Sequence, residues 1–318
     1  MFKGKAIGFD HYGEVDVFEE RDLIFKLTDK KPILIKVERA ALNPIDISIR
    51  KGLLANGRPL NRFRVLGNEV QGEVIALDPS VTGFSIGDKV IALVPSGGNA
   101  EYLAVAAKNV FKIPNEMPLE IAASYPMVAE TAYWALNPYF YELKSGDTLA
   151  IIGASGSVGS LVLQFARSKK ITIIAVAGKN NSEYVKKLGA DMVVDYRDPI
   201  AVNEHANQAD FVINASLFNS GEDVGVTLVK EGGTLLGLNG VPEKVCNKRV
   251  TMKNLDRTKE MTYQKAIPFV LEFYRQHDVE FQIDRSMPLT LEGIKEAHHL
   301  FEDKKTSGKI VLENPTIH

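Results

Sequence analysis

Gly153, Gly156 and Gly159 recur three residues apart in the string TLAIIGASGSVGSLVLQFARSKKITIIAVAGKNN, residues 148–181, and the chemistry this spacing offers is the grip of a pyrophosphate. The first glycine permits a tight turn out of a strand. The second lets the backbone approach the anion, the third lets helix and strand pack closely, and the helix N-terminus offers free N–H groups. Gly153, Ala154, Ser155, Gly156, Ser157, Val158 and Gly159 are therefore expected to line a dinucleotide. A glycine triplet alone is weak, but here an apolar strand, Thr148–Ile152, precedes it. Val158, Leu161, Val162, Phe165 and Ala166 then follow at helical spacing, and the β-branched run from Ile171 to Val176 supplies a second strand.

The end of that second strand bears on which nucleotide binds. A carboxylate there would accept the ribose 2′-hydroxyl of NAD, yet the chain reads Ala177, Gly178, Lys179, Asn180, Asn181. A cation and amides suit a 2′-phosphate, so Gly178, Lys179 and Asn180 are read as cofactor residues and the cofactor as NADPH. The plain alternative is that Lys179 is a solvated loop lysine.

The elements that must hold this turn sit in a chain of 318 residues, 45% hydrophobic, long enough for two domains. Its formal charge of −2 and lack of a basic run argue against nucleic acid as a partner. No stretch approaches about 18 consecutive apolar residues, so no membrane span is expected and the protein is read as cytoplasmic. The single cysteine, Cys246, excludes an intrachain disulfide and a multi-thiolate zinc site. The histidines, 11, 205, 277, 298, 299 and 318, show no metal spacing and are expected to be mostly exposed, with His298 and His299 on different helix faces. No metal site is expected.

Residues up to about 113 are β-rich, with strands at Gly4 to Phe9, Ile33 to Arg39, Val70 to Leu77, Lys89 to Leu93 and Glu101 to Val105, suggesting an antiparallel, barrel-like unit. Helical spacing covers Leu119 to Leu136. Beyond the nucleotide segment, a helix capped by Ser182 and ended by Gly189 begins an alternation with strands at Met192 to Val194, Phe211 to Asn214 and Thr234 to Leu238. That alternation predicts a doubly wound parallel sheet. Helices at Ala266 to Arg275 and Leu291 to Phe301, an extended Phe281 to Pro288 and a closing strand at Lys309 to Leu312 complete the chain. The domains are expected at 1–122 with 268–318, and at 123–267.

MFKGKAIGFDHYG at the start, ALNPIDISIRKG at 41–52, LGNEVQGEV at 66–74, VTGFSIGDKV at 81–90, ETAYWAL at 130–136, LGADMVVDY at 188–196 and SGKIVL at 307–312, in this order and spacing with the glycine turn, carry a resemblance. The chain resembles the zinc-independent quinone oxidoreductases of the medium-chain dehydrogenase/reductase superfamily over essentially its whole length. The resemblance implies a Rossmann α/β domain with a GroES-like β-rich catalytic domain, an active site in a cleft, and a homodimer or tetramer, of which a homodimer is taken here. It implies that Asn43 lies near the nicotinamide and Tyr196 beside the 2′-phosphate. By the same resemblance Thr131 and Gly237 line the cofactor channel, and Lys309 sits in a returning strand near the cleft. Read without it, Asn43-Pro44 is a simple turn and Tyr196 a strand-end packing residue.

Where related zinc alcohol dehydrogenases carry cysteine and histidine ligands, this chain has Asn43 and Gly67-Asn68-Glu69, and Glu69 alone makes no zinc site. Without a Lewis acid, unactivated alcohols are poor substrates. A quinone or a small α,β-unsaturated carbonyl needs less help, because incoming charge delocalises onto oxygen. Asn43 is the catalytic candidate, with Ser48 and Arg50 as candidate contacts to the acceptor. NPIDI followed by Gly52 also resembles the enoyl-thioester reductases, but their tyrosine acid is Leu54 here, which ranks that activity second. A non-catalytic NADPH-binding protein, in some relatives an RNA-binding one, is the further alternative.

Overall fold

The structure, a computed structural model, describes residues 1–240 and 247–315. Cys246 and His318 lie outside the described residues, so the cysteine argument stays one of sequence. In chain order the strands are β1 Phe2–Phe9, β2 Glu19–Phe25, β3 Ile33–Ala41, β4 Arg64–Val65, β5 Glu69–Leu77, β6 Lys89–Leu93, β7 Tyr102–Val105 and β8 Val110–Lys112. They continue with β9 Thr148–Ile152, β10 Thr172–Ala177, β11 Met192–Asp195, β12 Ala209–Asn214, β13 Val229–Gly237, β14 Thr251–Asn254, β15 Ile283–Pro288 and β16 Lys309–Glu313. The helices are α1 Pro44–Arg50, α2 Leu119–Ala122, α3 Pro126–Ala135, α4 Ser157–Ala166, α5 Ser182–Lys187, α6 Pro199–Glu204, α7 Glu222–Leu228, α8 Tyr263–Gln276 and α9 Leu291–Glu302.

These elements form two compact units. The first comprises Met1–Met127, Ile267–His277 and Gln282–His318; the second comprises Val128–Ala266 and Asp278–Phe281. In the first, β15-β16-β3-β5-β6-β8 form one sheet with β7 paired to β3, and β2-β1-β4 form another. The pairing is antiparallel except between β15 and β16. Alternation puts Ile33, Ile35, Val37, Val70, Val74, Val90 and Ala92 into one apolar core, joined from the C-terminal segments by Met287, Ile294, Ala297, Ile310 and Leu312. In the second unit the order β11-β10-β9-β12-β13-β14, with every pair parallel, is that of a doubly wound dinucleotide-binding sheet. Its central strands β9, β10 and β12 are almost continuously buried, as a sheet covered on both faces requires.

Several local expectations change. The helix read over Leu119 to Leu136 is two, because Pro126 lacks an N–H and biases Tyr125 away from helical backbone. Asn181, not Ser182, holds the cap position of α5, while Gly189, at φ +113°, ends that segment as expected. The alternating strand β2 and the edge strand β14 were not foreseen.

His298 is the largest departure. It is fully buried in α9, with the ring of Phe18 edge-on at 4.8 Å. Both ring nitrogens lack a partner among the described residues. Burial, with the nearby charges of Arg50 and His299, pulls its pKa down to about 3. An unfolded chain therefore takes up a proton below pH 6.5 that the folded chain refuses, and stability falls as pH drops from 6.5 towards 3. The limiting slope is about 1.4 kcal/mol per pH unit. His298→Leu should flatten this fall, read as the difference in urea midpoints between pH 7 and pH 4.5. Equal acid sensitivity of wild type and variant would refute the account.

Candidate functional site

The glycine turn is built as its residue types demand. At the end of β9 the N–H groups of Gly153 and Ala154 both donate to Val176 O at 3.1 Å, and Gly153 takes φ +72°, a conformation that strains residues with a Cβ. A Cβ on Gly159 would stand 2.2 Å from Gly153 O, so only glycine lets α4 press onto the turn. Gly156 occupies the N-cap of α4 with no side-chain cap, leaving the first-turn N–H groups and the positive end of the dipole for an anion. Asn181 Nδ2 donates to Ser155 Oγ at 3.2 Å, tying the loop after β10 to the turn.

Asn214, at the end of β12 where the strand order reverses, pairs with Ile152 of β9. It is fully buried, its Oδ1 accepting from Ser216 N and Oγ at 3.1 and 2.6 Å, yet its Nδ2 has no partner among the described residues. An unsatisfied buried donor at a switch point fits a bound dinucleotide. Sequence reading passed over Asn214, although its place at the end of an apolar strand was visible. Gly237 ends the adjacent β13, in register with Asn214, and Thr131 is half-buried on α3.

At the ends of β10 and β11, Lys179 and Asn180 are exposed and Tyr196 is 48% exposed. Gly178 presents its bare face to Tyr196 and Arg197: a Cβ there would lie 3.6 Å from Tyr196 Cε1 and 3.5 Å from Arg197 Nη1. Arg197 Cζ stands 4.9 Å from the Tyr196 ring centroid. The nearby carboxylate, Asp195, accepts from the backbone N–H of Arg197 at 3.0 Å. The structure thus gathers the glycine turn, Gly178, Lys179, Asn180 and Tyr196 at neighbouring strand ends of one parallel sheet.

The residues expected around the acceptor, Asn43, Ser48 and Arg50, occupy the first unit. Asn43 is only 3% exposed and its amide is committed. Its Oδ1 accepts from Lys309 Nζ at 2.6 Å, and its Nδ2 donates to Asn68 Oδ1 at 2.9 Å and Glu69 Oε2 at 3.4 Å. Its backbone N–H donates to Asp46 Oδ2 at 2.9 Å, fixing the head of α1 behind Pro44. Lys309 also donates to Leu42 O at 3.0 Å and lies 3.7 Å from Glu69 Oε2, while Glu69 Oε1 accepts from Met127 N at 2.6 Å. Burial pushes the Glu69 carboxyl up and the Lys309 ammonium down, each held back by the other. Burial likewise lifts Asp46 to about 6.

Arg50, a candidate contact to the acceptor, has its side chain committed within the first unit. It is fully buried, donating to Gly13 O at 3.1 Å and paired with Glu302 and Glu14. Ser48 is half-buried, its Oγ 3.4 Å from Pro44 O, the geometry of a helix back-bond. Among the described residues no three or more His, Cys, Asp or Glu side chains gather into a group able to hold a metal ion, and no helix is long and apolar enough to cross a membrane.

A β-rich unit with a returning C-terminal strand, and a doubly wound sheet with a dinucleotide turn, define an oxidoreductase class that takes a nicotinamide cofactor. Family models match in the same order: an alcohol dehydrogenase GroES-like domain at residues 29–115 and a zinc-binding dehydrogenase at residues 157–275. The 2-methylene-furan-3-one reductase of Solanum lycopersicum is 29% identical, over 97% of this chain and 78% of its own. The chloroplastic NADPH-dependent alkenal/one oxidoreductase of Arabidopsis thaliana is also 29% identical, over 97% and 79%. The solved quinone oxidoreductase from Coxiella burnetii superposes with a TM-score of 0.81 at 28% identity, covering 98% of this chain and 99% of that one. The chain belongs to the medium-chain dehydrogenase/reductase superfamily, as a quinone oxidoreductase-like member.

Three substitutions test the glycine turn of the second unit and the buried pair of the first. Gly159→Ala drives a Cβ into backbone that cannot yield, and should abolish nucleotide binding in a fluorescence titration. Lys309→Met strands a buried carboxylate and should cost about 3–5 kcal/mol in urea unfolding. Glu69→Met with Lys309→Met together should cost less than the single change, which a double-mutant cycle measures.

Proposed function

We propose that this protein is an NADPH-dependent reductase of quinones or small α,β-unsaturated carbonyls that works without a metal. The observation that carries the reading is the donor set around Asn43. Two amides, two carboxylates and a buried ammonium make a poor home for a divalent cation, since Asp46 is turned to the backbone N–H groups of Asn43 and Gly67 and Lys309 already supplies the positive charge that Glu69 requires. The bound cofactor would supply the hydride. With no Lewis acid to activate an alcohol, an acceptor that delocalises charge by itself is the better match.

Within this proposal the turn Gly153–Gly159 holds the pyrophosphate, and Lys179 and Tyr196 favour a 2′-phosphorylated nucleotide. Asn43 acts by fixing the head of α1 rather than by moving a proton, since its amide is committed to neighbouring side chains. The loop after α1 then offers Leu53 and Leu54, 64% and 58% exposed, as apolar wall for the acceptor. Leu54 stands where the thioester reductases carry their tyrosine acid, which disfavours that chemistry. The names of the plant relatives, an alkenal/one oxidoreductase and a furanone reductase, are consistent with the acceptor class. Homodimeric assembly and a cytoplasmic setting complete the proposal on the family resemblance alone, and sedimentation velocity checks the first.

The test is a panel of 1,4-quinones, simple enones and an enoyl-CoA, each with NADPH and NADH and with or without a chelator. Turnover of quinones or enones with NADPH, unchanged by EDTA, is expected. Lys179→Ala should raise KM for NADPH about tenfold and leave that for NADH unaltered. Turnover confined to the thioester, or chelator inhibition reversed by zinc, overturns the reading.

A further inference from the structure

Arg197 was not singled out by any motif, yet the structure sets it over the end of β10. The register Ala177↔Asp195 between β10 and β11 brings the residues after each strand side by side. A Cβ on Gly178 would stand 3.5 Å from Arg197 Nη1 and 3.6 Å from Tyr196 Cε1, so the guanidinium and the ring both lie over this residue. The guanidinium stands 4.9 Å from the Tyr196 centroid, a stacking distance that narrows its rotamers.

The surrounding charges leave that cation available. Asp195 Oδ1 accepts from Arg197 N at 3.0 Å, and Asp198 Oδ1 caps α6 by accepting from Ile200 N and Ala201 N at 2.9 and 3.3 Å. Both neighbouring carboxylates are thus turned to backbone. Among the described residues neither the Arg197 guanidinium nor the Lys179 ammonium has an ion pair. Two unpaired cations flank a bare glycine at the strand end where a dinucleotide's adenosine ribose lies in doubly wound sheets.

We propose that Arg197, held on Tyr196, is the second cation of a phosphate-monoester seat whose first is Lys179, and that it sets the preference for a 2′-phosphorylated dinucleotide. The inference rests on the NADPH reading above. A guanidinium presents a planar fork that two phosphate oxygens can meet at once, whereas Lys179 contributes a point charge. The unphosphorylated nucleotide has no group for the fork to meet.

The experiment is equilibrium titration of the purified full chain with NADPH and with NADH by nucleotide fluorescence, for wild type, Arg197→Ala, Arg197→Lys and Lys179→Ala, at two salt concentrations. Arg197→Ala should weaken NADPH about 10- to 100-fold and leave NADH unchanged, which also certifies the fold. Arg197→Lys should recover part of the loss, and the salt dependence of NADPH binding should shrink in the alanine variant. If Arg197→Ala leaves NADPH affinity intact, or weakens both nucleotides equally, the role of Arg197 is overturned. If wild type binds NADH more tightly than NADPH, the underlying cofactor reading fails instead.

Discussion

A lysine ammonium and a glutamate carboxylate buried together constrain the first unit more than any other interaction. Each ion out of water costs several kcal/mol, returned only if the two meet and their remaining hydrogen-bonding groups are satisfied. Lys309 and Glu69 meet those terms through segments far apart in sequence: Lys309 opens β16, Glu69 opens β5, and Asn43 precedes α1. The antiparallel register Val311↔Ala41 is what brings Lys309 alongside Leu42 and Asn43. A slip by one residue would turn Lys309 to the opposite face of the sheet and leave Glu69 alone. The pairing of β16 with β3 and the apolar core it joins return the C-terminal segment to the first unit, and the buried pair adds a polar tie between that segment and the residue before α1.

The second unit solves the opposite problem. It must leave polar groups unsatisfied until a ligand arrives, and does so with backbone and with missing side chains. Gly153 turns, Gly156 leaves the α4 N-terminus uncapped, and Gly159 lets helix and turn touch. The sheet order sets the ends of β9 and β12 together, so Asn214, whose Nδ2 has no partner among the described residues, stands beside the turn's own strand. Unpaired buried donors are costly in a folded chain, by about 1–3 kcal/mol each, and such a cost is tolerated where a ligand removes it.

What was legible in the amino-acid sequence was local. The turn and the strands around it were visible because glycine spacing and β-branched runs act over a few residues. The break at Pro126 was also written in the sequence, but the apolar spacing on either side of it read as one helix. β2 was hidden because it opens on four consecutive charged residues, Glu19 to Asp22, and its inward positions are only partly buried, so no apolar face announces it. Long-range partners were not legible at all. Arg50 is an ordinary helix-end arginine until Glu302 is placed against it, and Asn43 a free amide until Lys309 arrives from the other end of the chain. Arg197 gains its position only from the β10–β11 register.

The contrast between satisfied and unsatisfied groups then orders the candidates. Asn43, Glu69, Lys309 and Arg50 are chemically the most suggestive residues of the first unit, but their polar atoms are nearly all engaged within it, and a committed group has little left for a substrate. His298 marks the limit of the rule: its nitrogens are unpaired among the described residues, yet it is fully buried and is held neutral by that burial. Lys179, Arg197 and the α4 N-terminus combine exposure, positive charge and missing partners, and only an anion satisfies all of them. In the proposed function the discriminating electrostatics therefore reside in the nucleotide unit. Under the same proposal the exposed Leu53 and Leu54 would select an acceptor by shape more than by charge. Such a division suits a reaction whose driving group is carried by the nucleotide, because the protein must recognise that nucleotide exactingly while its acceptor needs only to fit and to be electrophilic.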